Sequence, residues 1–194
     1  MNTHPFIDFV SKNFQRFLGE GTLDLCKVLH LLLSSGKTRF NIVLVGNKNL
    51  IPDEKGFVSI AKVFDVMINL KGFDGSLIVI DPDNDHTQNL SDITSEKTSI
   101  VNDDYMTVLS GLAATLKEPI DLLFFSDGGN ALISNTYSKT AKPLTIIDDI
   151  LDEKAILVLD ESQMGSKLAS DIDTWADESD KKAFVNNKLI GWVW

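Results

Sequence analysis

Apolar positions change their period along this chain, and the changes divide it. Phe6, Ile7, Phe9, Val10, Phe14 and Phe17 recur at close to helical spacing. Thr22 to Leu33 predicts a second helix, with Thr22 as its cap and Gly36 just past its end. After that, short apolar runs rich in branched and aromatic residues alternate with helical patterns. Phe40–Val45 predicts a first strand, followed by a polar loop and a helix over Val58–Leu70. Ser76–Ile80 is a second strand, closed by Asp81-Pro82-Asp83, and Ser99–Val101 a short third one. A helix over Tyr105–Leu116 precedes a fourth strand at Leu122–Phe125. A helix over Asn130–Lys139, a further turn at Ile146–Leu151 and a fifth strand at Ile156–Leu159 follow. Gly165–Asp177 predicts a last helix, and Lys188–Trp194 a last strand.

Strands that alternate with helices imply parallel strands, right-handed crossovers and a sheet covered on both faces. The expected class is therefore α/β. The Trp-rich end reads as a late strand docked into the sheet, because a free tail would leave Trp192 and Trp194 exposed. No repeat or long linker divides the chain, so one domain is expected over 1–194, with N-terminal helices in 1–38 and the α/β core in 39–194.

Polar residues at the strand ends carry the chemistry, because ligands bind at the C-terminal edge of an open α/β sheet. Gly46 follows the first strand, where a glycine lets main chain approach a ligand closely. The bland alternative is a simple turn. No Gly-x-Gly-x-x-Gly and no phosphate-loop motif is present, so neither a dinucleotide nor a triphosphate has a recognisable cradle. Asp81 ends the second strand, where an acid can accept both hydroxyls of a ribose, though Asp-Pro-Asp-Asn-Asp is also good turn chemistry. Of Asn102-Asp103-Asp104, one residue should cap the following helix and one could reach an adenine amino group. The fourth strand leads to Asp127, and the fifth ends in Asp160 and Glu161. Three carboxylates at neighbouring strand ends suit one hard divalent cation, or else are solvated strand-end residues.

Charge narrows the classes. The 194 residues carry 18 Lys and Arg against 28 Asp and Glu, a formal net charge of -10. That argues against binding to nucleic-acid phosphates or to an anionic membrane surface. The N-terminus has no basic stretch leading into an apolar one, and the lone cysteine, Cys26, fits a reducing compartment as a buried structural thiol. A cytoplasmic location is expected, and homo-oligomerisation is left open. His4, His30 and His86 are scattered, and His30, on an apolar helix, is expected to be packed. No zinc-ligand spacing and no hydrolase elbow is present.

Taken in order, the set is Leu44-Val45-Gly46, Ile80-Asp81-Pro82-Asp83, Asn102-Asp103-Asp104, Ser126-Asp127-Gly128-Gly129-Asn130 and Leu159-Asp160-Glu161. This set resembles the Rossmann-like methyltransferases that use S-adenosylmethionine (SAM). It is most similar to their small metal-dependent O-methyltransferases: the catechol type and the group of sugar O-methyltransferases and cephalosporin-hydroxylase-like proteins. The resemblance spans Arg39 to Trp194. It implies that SAM is held by Val45, Gly46, Asn47, Asp81, Asp103 and Asp104, and Mg²⁺ or a similar cation by Asp127, Asp160 and Glu161. It implies methyl transfer to a hydroxyl of a small polyol, sugar or catechol-like acceptor, with Asp127 catalytic and Lys139 or a water taking the proton. Val45-Gly46-Asn47 departs from the acid-x-Gly-x-Gly of the family, and Asn130 stands where related proteins often have His. A non-catalytic binding or assembly module of the same fold is the alternative, and a metal-using glycosyl or phosphoryl transferase a weaker one, since fold does not fix function.

The charge generates a first prediction. At physiological salt the protein should pass through immobilised duplex DNA or RNA without retention. Salt-sensitive, micromolar capture in a filter-binding assay would contradict it.

Overall fold

The computed structural model describes residues 4–18, 21–46, 51–53, 56–83, 90, 94–125, 143–160, 173–178, 180, 182–186 and 189–193. Two helices, α1 (Pro5–Leu18) and α2 (Gly21–Ser34), lead into β1 (Arg39–Val45). A short hairpin, β2 (Ile51–Asp53) and β3 (Gly56–Val58), precedes α3 (Ile60–Asn69) and β4 (Asp74–Ile80). Then come β5 (Thr98–Val101), α4 (Tyr105–Thr115), β6 (Ile120–Phe125), α5 (Pro143–Ile150), β7 (Leu151–Asp160), β8 (Lys182–Asn186) and β9 (Leu189–Val193). Residues 173–178 are helical.

Seven strands form one sheet in the order β5-β4-β1-β6-β7-β9-β8. β5, β4, β1, β6 and β7 are mutually parallel, and β9 runs against both β7 and β8. Counted in chain order, the parallel strands lie 3-2-1-4-5, the doubly wound arrangement whose order reverses beside its first strand. The expected α/β class holds, and so does the docking of the Trp-rich end as a late strand.

Alternation along the strands divides two cores. Phe40, Ile42 and Leu44 of β1 join Leu77, Val79, Leu122, Phe124, Ile156 and Val158 beneath α1, α2 and α3. Val43 and Val45 join Ile80, Leu123, Phe125, Leu157 and Leu159 under α4, α5 and Trp175. Side chains on both faces are nearly all buried, which is why these strands read as continuous apolar runs. Each fully buried Leu, Ile or Phe stabilises the fold by about 1.5–3 kcal/mol relative to exposure.

Several expectations need correction. α2 begins at Gly21, so Thr22 lies within the first turn of the helix and not at the residue before it. The polar loop after β1 contains the β2–β3 hairpin, whose three-residue strands are too short to show a period. β3 takes Val58, so α3 starts at Ile60, with Ser59 as N-cap accepting the Lys62 N–H at 3.1 Å. β7 starts at Leu151, directly after α5, because Asp152-Glu153-Lys154 disguise its first half as a loop. β8 is an additional strand. His30 is exposed, on the side of α2 turned from the core. Cys26 is only half-buried; burial and then the charge of Asp8 push its thiol up, which makes it a poor nucleophile. The helix expected over Asn130–Lys139 lies outside the described residues, as does most of that expected over Gly165–Asp177. Among the described residues no helix is long and apolar enough to cross a membrane.

Two buried acids organise the sheet away from its C-terminal edge. Asp121, at the start of β6, accepts the Asn41 N–H at 2.7 Å and the Lys37 ammonium at 2.6 Å. Lys37 also meets Asp152 of β7 at 3.0 Å, so one cation ties the starts of β6 and β7 to the entry of β1. Burial works against the Lys37 charge, but the hydrogen bonds to Asp121 and Asp152 outweigh it and hold its pKa above the ordinary value. Asp65, on α3, is 2% exposed. One of its oxygens accepts the Ser95 N–H at 2.8 Å, the Ser95 hydroxyl at 2.6 Å and the Thr98 hydroxyl at 2.8 Å. The other faces Lys62 at 3.3 Å. Asp65 thereby fastens the start of β5 to α3.

The close approach of β1 and β4 can be tested by substitution. In the parallel register Phe40 lies opposite Gly75, whose φ is +138°. A Cβ there would fall 1.9 Å from the Phe40 carbonyl oxygen. Gly75→Ala should therefore cost at least about 2 kcal/mol in urea unfolding, from strain and displaced main chain. Gly36→Ala, at φ +76° with nothing within 4 Å, should cost only about 1 kcal/mol. Equal costs would refute the close approach.

Asp65 sets the acid response. Burial alone would raise its pKa, but the bonds from Ser95, Thr98 and Lys62 hold it below the ordinary 3.8. Its folded value thus lies below its unfolded one, so its stabilisation is full above the unfolded value and fades as pH falls through the folded one. Asp65→Asn should be less stable than wild type by about 1–3 kcal/mol near neutral pH. The gap should close as the pH is lowered below about 4. A constant gap across a pH series of thermal melts would show that the carboxylate charge is not responsible.

Candidate functional site at the C-terminal edge of the sheet

Three neighbouring strands end level. Val45 of β1 pairs with Ile80 of β4, and Ile80 with Val101 of β5. The chain leaves β1 through Gly46, which is buried and has φ +79°, a conformation that excludes most side chains. The Gly46 N–H donates to the Ile80 carbonyl at 2.8 Å, so the turn begins while the chain is still held to β4.

Asp81 follows β4 directly and is 4% exposed. Its N–H donates to the Val101 carbonyl at 3.1 Å. Its carbonyl accepts the Asn102 side-chain amide at 3.0 Å. One carboxylate oxygen accepts the Asp83 N–H at 3.0 Å. Asp81 is thus a turn former as well as a strand-end acid. A carboxylate has about four acceptor positions and can serve several donors at once.

Beyond β5 the chain turns into α4. Asp103 accepts the Asp104 N–H at 2.7 Å. Asp104 is the N-cap, and its carboxylate takes the Thr107 N–H at 3.0 Å. The capping expected of this acidic pair is therefore Asp104's. Tyr105, the first residue of α4, is buried edge-on against Phe125, the last residue of β6, with ring centroids 6.1 Å apart. That contact fixes the start of α4 to the next strand end.

Val45, Gly46, Asp81, Asp103 and Asp104 thus gather along one edge. Asp160 is the last residue of β7 at the same edge, paired with Leu189 of β9. Asn47, Asp127, Lys139 and Glu161 lie outside the described residues. Among the described residues no group of three His, Cys, Asp or Glu could hold a metal ion.

The edge suits a nucleoside-bearing cofactor. Its glycine has no side chain to obstruct a ligand, and its buried carboxylate comes at the end of the adjacent strand. Two surface pockets among the described residues, of about 480 Å³ beside Phe6, Phe9 and Phe73 and about 450 Å³ beside Asp65 and Ser95, lie away from it. Sequence reasoning did not find the Asn102 amide bond or the Asp65 cluster. An acid inside the apolar window Ile60–Ile68 was the available signal for Asp65.

Comparison with known proteins bears on the fold. No family model matches the chain, and no curated protein matches it. Among solved structures, it is similar to the O-methyltransferase TomG from Streptomyces achromogenes, involved in tomaymycin synthesis and crystallised with SAM. The two share 13% identity over 99% of this chain and 91% of TomG, with a TM-score of 0.53. An rRNA methylase from Streptococcus thermophilus matches 87% of the chain and 95% of its own at 16% identity, with a TM-score of 0.49. A ribosomal-protein methylase from Lactobacillus delbrueckii subsp. bulgaricus matches 86% and 75% at 12% identity, with a TM-score of 0.45. At these identities the likeness is one of fold: the chain shares with TomG a doubly wound α/β sheet.

Proposed function

We propose that the protein is a SAM-dependent methyltransferase acting on a hydroxyl of a small polyol, sugar or catechol-like molecule. The observation that carries this reading is the placement of Gly46, bonded to the Ile80 carbonyl, at the strand end beside the one that the buried Asp81 follows. It occurs in the fold of an O-methyltransferase crystallised with SAM.

The residues divide the work. Gly46 lets the cofactor lie against main chain, and Asp81 accepts the ribose hydroxyls. Asp103 and the capped start of α4 flank the adenine side. SAM supplies a sulfonium methyl group for in-line attack by the acceptor oxygen. Holding both groups in attack geometry supplies much of the rate. Lys139 or a water receives the acceptor proton.

A divalent cation is part of the proposal. Phe124 of β6 lies opposite Val158 of β7, so the two strand ends are neighbours. The carboxylates that follow, Asp127, Asp160 and Glu161, are the hard oxygen donors that Mg²⁺ takes. They would hold the ion, which lowers the pKa of a bound hydroxyl and orients it. The net charge of -10 favours a small acceptor over RNA.

Titration calorimetry tests this reading. Wild type should bind SAM, and Gly46→Val should abolish binding. Asp81→Ala should weaken it by about 1.5–3 kcal/mol, the range for hydrogen bonds to a charged group. Melting temperatures show whether either variant is merely unfolded. Chelation should leave SAM binding intact and stop transfer to a catechol or sugar acceptor. Wild-type affinity in both variants, or none in wild type, sinks the cofactor reading; transfer that survives chelation removes the metal.

A further inference from the structure

We infer that Asn102 is a positioning residue: its side-chain amide adds a rung to the β4–β5 ladder that fixes the main chain of Asp81, and so aims the Asp81 carboxylate at its ligand. This rests on the reading of Asp81 as the acceptor of ribose hydroxyls.

The geometry is specific. β4 and β5 are parallel and in register from Leu77 opposite Thr98 to Ile80 opposite Val101. The next residue, Asp81, donates its N–H to Val101 at 3.1 Å as a regular rung. A continued parallel ladder would bring the Asp103 N–H to the Asp81 carbonyl. Here the chain has turned toward α4, with Asp103 accepting the Asp104 N–H and Asp104 capping the helix. The Asn102 amide takes the missing place, 3.0 Å from the Asp81 carbonyl oxygen.

Val101 and Asn102, consecutive in the chain, therefore grip both sides of Asp81. With N–H and C=O both held, the Asp81 main chain has little freedom to rotate, and its side chain is held further by the Asp83 N–H. Asparagine suits this position chemically. It offers a neutral donor to the carbonyl, whereas an aspartate would turn an acceptor toward an acceptor and add charge beside the Asp81 carboxylate. Asn102 is exposed, so neither Asn102→Ala nor Asn102→Asp removes a core contact.

The test uses the full chain, with SAM as the probe and amide exchange as a second readout. Asn102→Ala and Asn102→Asp should weaken SAM binding by about tenfold, the effect of one lost positioning bond. Their melting temperatures should stay near wild type. In the Asp81→Ala background, Asn102→Ala should change affinity by less than about twofold, because it acts through Asp81. Exchange of the Asp83 amide, which reports on the Asp81 carboxylate, should quicken about fivefold or more in Asn102→Ala without ligand. An equal loss of affinity in both backgrounds would overturn the inference and make Asn102 a direct ligand contact. Unchanged exchange at Asp83 would overturn it as well. If wild type binds no SAM, the cofactor reading falls and with it the ligand role of Asn102, while exchange at Asp83 still decides whether the clamp exists.

Discussion

Everything at the C-terminal edge hangs from main-chain hydrogen bonds that hold three strand ends level. Gly46 donates to Ile80, and Asp81 donates to Val101. These bonds make neighbours of residues that lie far apart in the chain. A one-residue slip of β4 would exchange its two faces, sending Leu77 and Val79 to the opposite core. The register is protected from the opposite end, where Gly75 allows β4 to lie against Phe40 and Lys37 gathers Asp121 and Asp152. The geometry of the site is thus set partly by contacts at the far edge of the sheet.

The buried polar residues of the described structure show the same division of labour. They are Ser59, Asp65, Asp81 and Asp121. Ser59 caps α3, Asp65 ties α3 to the start of β5, and Asp121 anchors β1 through Asn41. Each answers the cost of burying a polar group with hydrogen bonds inside the fold. Asp81 differs in place: it sits where the strands run out, and one of its carboxylate oxygens holds a main-chain N–H two residues on. In a chain of net charge -10, repulsion is limited by keeping these buried acids on separate elements.

The strands that build the sheet were legible because both of their faces are buried. Phe40–Val45, Ser76–Ile80 and Leu122–Phe125 announce themselves as apolar runs, and the structure extends each by only a few residues. Elements with charged or very short sequences were not. The first half of β7 carries Asp152, Glu153 and Lys154, β8 follows an acidic stretch, and the β2 and β3 strands are too short to alternate visibly. Gly46 and Asp81 could be chosen from sequence because strand ends can be located from apolar periodicity. The Asn102 bond could not, because it depends on where one chain turns while its neighbour continues. Nor could Asp65: its partners Ser95 and Thr98 lie 30 and 33 residues away, and no local pattern records such a contact.

The junction between α5 and β7 has a mechanical consequence. The helix ends at Ile150 and the strand begins at Leu151, so no loop residue intervenes. Elsewhere in the fold a turn between helix and strand can absorb a displacement, much as the residues between α3 and β4 can. Here the slack lies inside the strand, as a bulge where Leu151 to Ile156 of β7 spans only Ile120 to Leu122 of β6. Trp175, hydrogen-bonded to Asp148 at 3.1 Å, adds a second attachment to the helix. A push on α5 would meet this bulge before it reached the continuously paired part of β7, which begins at Ile156 against β6 and at Leu157 against β9. In this fold a bulge, and not a loop, separates α5 from the strand end at Asp160.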